Sequence, residues 1–297
     1  MTRRMPLRLL VAVLVAAVTC LLVLAGGSSM SAFTGSVRNS TNSVRTPAEI
    51  FGTCLAAEQG DGAARIYSLS DGITGGKNQG TTGGDATLWT NLAVNFGSDG
   101  GCLNDNPRSY FAVEPAPILT IAGRWVTGGS AATTILPGSA VTQEVWFRAN
   151  EPAGLIMGFG NNSGTLAGIG SSTVKGLQVF LTSDGQLDFA TSVDSGELIA
   201  SAPDGDKGYA DDKWHHVVAV YDNGTKKLYV DGTLRASGQG STTKLSNVYW
   251  RLGYDSLSGW KYKSGSNYVD GGMQYAALYT KALTAAQVHA HYVAGTH

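Results

Sequence analysis

The stretch from Asp211 to Gly238, DDKWHHVVAVYDNGTKKLYVDGTLRASG, constrains the fold more than any other part of the chain. Asp222–Thr225, DNGT, is a hairpin turn in which Gly224 supplies the positive φ. It joins two runs with the two-residue period of a strand. In the first run Trp214, His216, Val218 and Val220 share one face; His215, Val217, Ala219 and Tyr221 share the other. Both faces carry apolar groups, which predicts a central strand in packed sheets. In the return run Leu228 and Val230 share a face, and Gly232 permits the next sharp turn. Because neighbouring strand residues point apart, His215 and His216 do not chelate one ion together. His216 is expected to pack beside Trp214 and Val218, with His215 serving the opposite face. Asp222 and Asp231 flank turns, where a carboxylate caps local N–H groups.

Short strands separated by turn residues continue on both sides. RIYSLSD (Arg65–Asp71), SYFAVEP (Ser109–Pro115), VTQEVWFRA (Val141–Ala149), GLIMGFGNN (Gly154–Asn162) and KGLQVFLTSDGQLDFAT (Lys175–Thr191) are strand candidates. Ser183–Gly185 turns the last of these into a hairpin. One helix is expected, at the end. Thr284 and Gln287 form a capping box, Leu283 and Val288 a hydrophobic staple, and Gly295 is the expected stop. Regular strand spacing with one short helix predicts an all-β sandwich or jelly roll. The 40 glycines and only 14% charged residues suit such a turn-rich fold.

The N-terminus has a different character. Arg3, Arg4 and Arg8 precede an apolar run from Leu9 to Ala25, and small residues follow. Residues 1–31 thus read as a secretory signal peptide or, uncleaved, as a membrane anchor. Removing those three arginines from 21 basic and 22 acidic residues leaves a formal charge of −4. With no basic excess, nucleic acid is excluded as a partner. Residues 32–63 read as an extended lead-in and 64–297 as the folded domain. Export leaves Cys54 and Cys102, whose simplest state in an oxidising compartment is a disulfide.

Two resemblances follow from these residues. The Trp-His-His-Val run, the Tyr-Asp turn and the strand ending in Val-Asp-Gly resemble the central hairpin of laminin-G-like, concanavalin-A-like jelly rolls. VDGGMQYAALYTKALTAAQVHAHYVAG (Val269–Gly295) resembles the family's last strand and short helix, and VTQEVWFRA its early core strand. The resemblance implies a β-sandwich of two antiparallel sheets with one short C-terminal helix. The family often has an acidic pair in its final strand; here Gln274 and Tyr275 occupy that region. Separately, Ala32-Phe33-Thr34 followed by Asn39 and Asn42 resembles exported Gram-positive proteins with a SipW-type leader, some of which form matrix fibres. That implies a bacterial protein, secreted or at the cell surface.

The fold serves many functions, so the site must be argued from residues. A retaining glycosidase needs two neighbouring carboxylates on one face. Glu144 has no acidic partner two or four residues away, Asp188 stands alone on its strand, and Asp194 and Glu197 lie in a loop. There is no Gly-x-Ser-x-Gly turn for a serine nucleophile. A non-catalytic module is therefore expected, binding an extracellular glycan or protein. YWRLGYDSLSGWKY (Tyr249–Tyr262) supplies the candidate ligand residues Tyr254, Asp255, Trp260 and Tyr262, as aromatic rings for sugar stacking with polar groups for hydroxyls. The resemblance also implies calcium at loop edges, with Asp184, Asp255 and Asp270 as candidate ligands, and Asp71 and Asp85 beside them. The alternative is a structural subunit that self-assembles by adding Phe33–Val44 to a neighbour's sheet edge.

Overall fold

The structure, a computed structural model, describes residues 52–70, 76–89, 96–104, 110–113, 125–163, 172–191, 197–202 and 207–296. The expected signal peptide, the lead-in up to residue 51 and Asp71 lie outside the described residues. Fifteen strands and two helices are described. They are α1 (Cys54–Gly60), β1 (Arg65–Tyr67), β2 (Thr87–Trp89), β3 (Phe96–Gly97), β4 (Tyr110–Val113), β5 (Trp125–Ile135), β6 (Ala140–Ala149), β7 (Leu155–Gly160) and β8 (Lys175–Leu181). Then come β9 (Leu187–Ala190), β10 (Ile199–Ala200), β11 (Trp214–Asp222), β12 (Thr225–Val230), β13 (Thr233–Gln239), β14 (Leu245–Leu252), β15 (Gly271–Tyr279) and α2 (Ala285–Thr296).

The strands form two sheets. One has eight strands in the order β13-β12-β11-β6-β15-β4-β3, with β1 also paired to β15; the other has seven, in the order β10-β9-β8-β7-β14-β5-β2. Every pairing between these strands is antiparallel. Consecutive strands change sheet at β1/β2, β2/β3, β4/β5, β5/β6, β6/β7, β10/β11, β13/β14 and β14/β15. This is the expected two-sheet sandwich.

Its core follows the expected alternation. Val217, Ala219 and Tyr221 of β11 and Val145 and Phe147 of β6 face Phe159, Val179, Phe189 and Trp250 of the other sheet. Gln143 bridges the layers: its amide donates to the Leu177 carbonyl at 2.7 Å, and its Oε1 accepts from Trp250 Nε1 at 2.9 Å. That satisfies a buried polar side chain completely enough to be tolerated in the core. The β11–β12 turn has the predicted chemistry, with φ of 45° at Asn223 and 87° at Gly224. Positive φ at both central residues gives the twist that joins right-handed strands.

The alternate residues face outward yet are also buried. Val218, Val220 and Tyr229 pack with Tyr279, Leu283 and Val288 beneath the helices. The capping box forms, with Thr284 N donating to Gln287 Oε1 at 2.9 Å and Gln287 N donating to Thr284 Oγ1 at 3.3 Å.

Two expectations require correction. A second helix, α1, occupies part of the segment read as an extended lead-in; Thr53 caps it, its Oγ1 accepting from Ala56 N at 3.1 Å. Gly295 does not stop α2, which continues to Thr296. The glycine is required there because a Cβ would collide with the Trp146 ring and come within 3.1 Å of Cys54 Sγ.

Candidate functional site

After β14 the chain turns at Gly253, whose φ is 81°, and folds back over the outer face of the seven-stranded sheet. Leu257 and Trp260 cover Leu155, Phe180 and Ala190 there. Tyr254 pairs with Tyr268 as an isolated bridge, their rings stacked 4.0 Å apart. Asp255 Oδ1 accepts from Ser172 N at 3.0 Å and Ser256 N at 2.7 Å; Oδ2 accepts from Ser172 Oγ at 2.8 Å. Trp260 Nε1 donates to Gln178 Oε1 at 2.5 Å.

The segment can lie this close because β7 presents glycines. A Cβ on Gly160 would strike the Asp255 carboxylate, and one on Gly158 would meet Gln178 Cγ at 2.6 Å. Arg251 stands opposite Gly158 in the β14–β7 register. Its Nη1 donates to the Asn162 carbonyl at 2.6 Å, and its guanidinium lies 5.6 Å from the Tyr254 ring centre. Burial lowers its pKa, while Asp255, Tyr254 and Tyr268 oppose the shift.

Of the four candidate ligand residues, Tyr254, Asp255 and Trp260 are buried in this frame. Tyr262 is 42% exposed. Lys261 flanks it, with Nζ 2.8 Å from the phenol oxygen, and the Lys261 backbone N–H donates to Glu197 at 2.5 Å. Arg251 and Gln178 were missed because period-two alternation turns both away from the inter-sheet core, toward what a single sequence reads as solvent.

On the same face Asp188 is fully buried. Its Oδ1 accepts from Leu198 N at 3.0 Å, while Oδ2 has no hydrogen-bond partner among the described residues. Burial raises its pKa to about 7. Lys226 reaches across from the other sheet to donate to the Phe189 carbonyl at 3.0 Å, and burial lowers its pKa to about 8.

The histidines divide between the faces of β11 as alternation requires. His215 is held by two carboxylates, with Nδ1 2.9 Å from Asp231 and Nε2 3.1 Å from Asp211. Burial opposes its protonated form, but these two acids outweigh burial and raise its pKa. Asp231 also accepts from His216 N at 2.9 Å, so it binds β11 back to the turn instead of capping the turn itself.

His216 lies on the outer face of the eight-stranded sheet. Its Nε2 is 2.8 Å from Glu144 Oε1. Glu144 also receives His291 Nδ1 at 3.0 Å and the Tyr279 hydroxyl at 3.2 Å, and His291 Nε2 reaches Asp61 at 2.9 Å. Burial pushes the Glu144 carboxyl up, but the His291 charge and the two imidazole hydrogen bonds hold it well below the usual range. Burial opposes protonation of His291, yet Glu144 and Asp61 raise it to about 10. Glu144 is thus an acid neutralised and sealed beneath α2, with 1% exposure.

The candidate calcium ligands do not gather. Among the described residues no three His, Cys, Asp or Glu side chains form a metal-binding group. Asp255 is engaged by three donors; Asp184 accepts from Thr182 Oγ1 at 2.5 Å within its own hairpin; Asp85 accepts from Asn78 N at 2.9 Å. The Asp270 carbonyl accepts from Asn150 N at 2.9 Å. This donor set does not fit a shared hard-cation site. Cys54 and Cys102 are joined as a disulfide.

No curated protein sequence matches the chain. Among solved structures, the chain is similar to the binding domain of paraclostridial mosquitocidal protein 1, with TM-score 0.52 and 12% identity, over 78% of this chain and 52% of that one. The chain therefore spans about half the length of that domain. It also matches domain 4 of an extracellular arabinanase from Geobacillus stearothermophilus, solved with arabinotriose, with TM-score 0.48 and 13% identity over 77% of this chain and 98% of that one. The family profile described as the concanavalin A-like lectin/glucanases superfamily matches residues 123–289. That span runs from the edge of β5 into α2 and contains both central hairpins, so the chain belongs to the concanavalin A-like lectin/glucanases superfamily.

Proposed function

We propose that the chain is a non-catalytic binding module that acts outside the cell and recognises carbohydrate through the segment covering the seven-stranded sheet. The observation that carries this reading is the division of labour within Tyr254–Tyr262. Tyr254, Asp255 and Trp260 form a buried frame, and that frame presents Tyr262 at the surface beside Lys261. A rigidly supported, half-exposed ring is suited to stack on the C–H face of a sugar, and the preorganised frame limits the ordering cost of binding.

The acids support the non-catalytic part. A glycosidase needs two accessible carboxylates a few ångströms apart. Glu144 is sealed by His216, His291 and Tyr279. Asp255 has both oxygens occupied, and Asp188 is buried. The disulfide suits an oxidising compartment, and hence a secreted or cell-surface protein.

A glycan array probed with the full chain, its Tyr262→Ala variant, and the wild type with chelator tests the reading. Glycan binding that falls at least tenfold in Tyr262→Ala, with unchanged thermal stability, supports it. Absence of any glycan binding, or identical binding by the variant, overturns it. Loss of binding with chelator alone would assign calcium to the bound state.

A further inference from the structure

The two sheets do not close on each other everywhere. In the inter-sheet core Ile135, Val141 and Leu278 are 6–8% exposed, whereas every other buried member of that cluster is at most 2% exposed. All three line one cavity of about 430 Å³. They come from β5, β6 and β15, and Phe159 of β7 lines the cavity with them. The cavity is thus a gap between the sheets with apolar walls, beside the turn by which the chain crosses from β5 to β6. Its volume is that of a small-molecule site. Leu136, in the crossing turn itself, is half exposed and extends the apolar surface there.

The rim is polar. Thr133 stands opposite Val248, a core residue, so it faces the inter-sheet space. Arg65 precedes Tyr67 by two residues on β1 and shares its core-facing side. Its Nη1 donates to the Gly128 carbonyl of β5 at 2.9 Å, so the guanidinium spans from one sheet to the other and is held in place. Among the described residues Arg65 is the one charged residue lining the cavity, and it forms no ion pair. Asp85, in the loop beyond β1, accepts from Asn78 N and does not line the cavity.

Apolar walls favour an apolar body, since each methylene taken out of water raises affinity about fourfold. A fixed guanidinium at the rim favours a carboxylate, to which it still offers N–H groups. A sugar would leave hydroxyls unpaired against Ile135, Val141, Phe159 and Leu278. We propose that this cavity is a binding site for an amphipathic carboxylate, whose apolar chain enters between the sheets while its head pairs with Arg65. No residue of Tyr254–Tyr262 lines the cavity, so the site is separate from the carbohydrate reading.

Isothermal titration calorimetry on the full chain tests the site, with sodium hexanoate, octanoate and decanoate and with octan-1-ol as probes. The carboxylates should bind with affinity rising about fourfold per methylene until the cavity is full. Octan-1-ol should bind at least tenfold more weakly than octanoate. Thr133→Trp, which fills the cavity, should lower octanoate affinity at least tenfold. Arg65→Met should bring octanoate down to the affinity of octan-1-ol. Should either variant fail to fold, Ser139→Trp, at another lining position, and the wild-type ratio of octanoate to octan-1-ol decide the matter. Absence of octanoate binding, affinity independent of chain length, or binding that survives the cavity-filling variant overturns the site. Octan-1-ol binding as tightly as octanoate overturns the carboxylate assignment.

Discussion

Replacing Glu144 by Gln should expose how much the buried charges beneath α2 contribute. The change removes the charge and keeps the shape. His291 then loses the charge of its main partner and keeps those of Asp61 and Glu58. A rise in the His291 pKa from 6.5 to about 10 corresponds to a differential interaction on the order of 5 kcal/mol. Removing one member of a buried pair typically costs about 3–5 kcal/mol, which agrees. At roughly 2–4 °C per kcal/mol for a domain of this size, Tm should fall by about 6–20 °C. The pH dependence supplies an independent check. His291 has a raised pKa, so its contribution is complete below pH 6.5 and is lost as pH rises toward about 10. Glu144 has a depressed pKa, so its contribution is present above 4.5 and is lost as pH falls below that value. Wild-type stability should therefore peak between these limits and decline on the alkaline side. Circular dichroism melts from pH 5 to 10 measure both effects. Glu144→Gln should lower the peak and flatten the alkaline decline. A variant within 2 °C of the wild type, with the same alkaline slope, would refute the ionised network.

Three further outcomes are expected. Gly295→Ala should destabilise by about 1–3 kcal/mol in urea unfolding, because the added methyl meets the Trp146 ring; a stabilised variant would show that the ring has room to move. Reducing the Cys54–Cys102 disulfide, which closes a 48-residue separation, should cost about 4 kcal/mol in the chain-entropy picture, read as a lower denaturant midpoint under reductant. Trp260→Phe should leave Gln178 Oε1 without its donor and cost roughly 1–3 kcal/mol, measured by thermal melting; an unchanged Tm would mean that the hydrogen bond contributes nothing.

The fold was legible where its determinants are local. Asn223-Gly224 specifies its turn from two residues, Thr284 and Gln287 specify a helix start from four, and alternation along β11 places His215 and His216 on opposite faces. It was illegible where partners are remote. Glu144 looks solitary within β6, yet its partners lie 72 and 147 residues away. Gly295 resembles a helix stop, and only the position of Trp146 explains it. The site shows the same limit. Arg251, between Trp250 and Leu252, faces away from the inter-sheet core as alternation demands. Its burial depends on a later turn at Gly253 and on two glycines in β7, none of which a strand pattern records.

The position of β15 bears on how the molecule assembles. It comes after the other described strands in the chain, yet it lies between β6 on one side and β1 and β4 on the other. Until Gly271–Tyr279 emerges, β1 and the β3–β4 pair have no strand pairing to β6 and the strands beyond it, and Glu144 has no Tyr279 or His291. Nascent chain shorter than about that length cannot close the sandwich, and so much non-local pairing makes closure slow. The residues that join the two parts of the sheet therefore follow, in the chain, the residues they join.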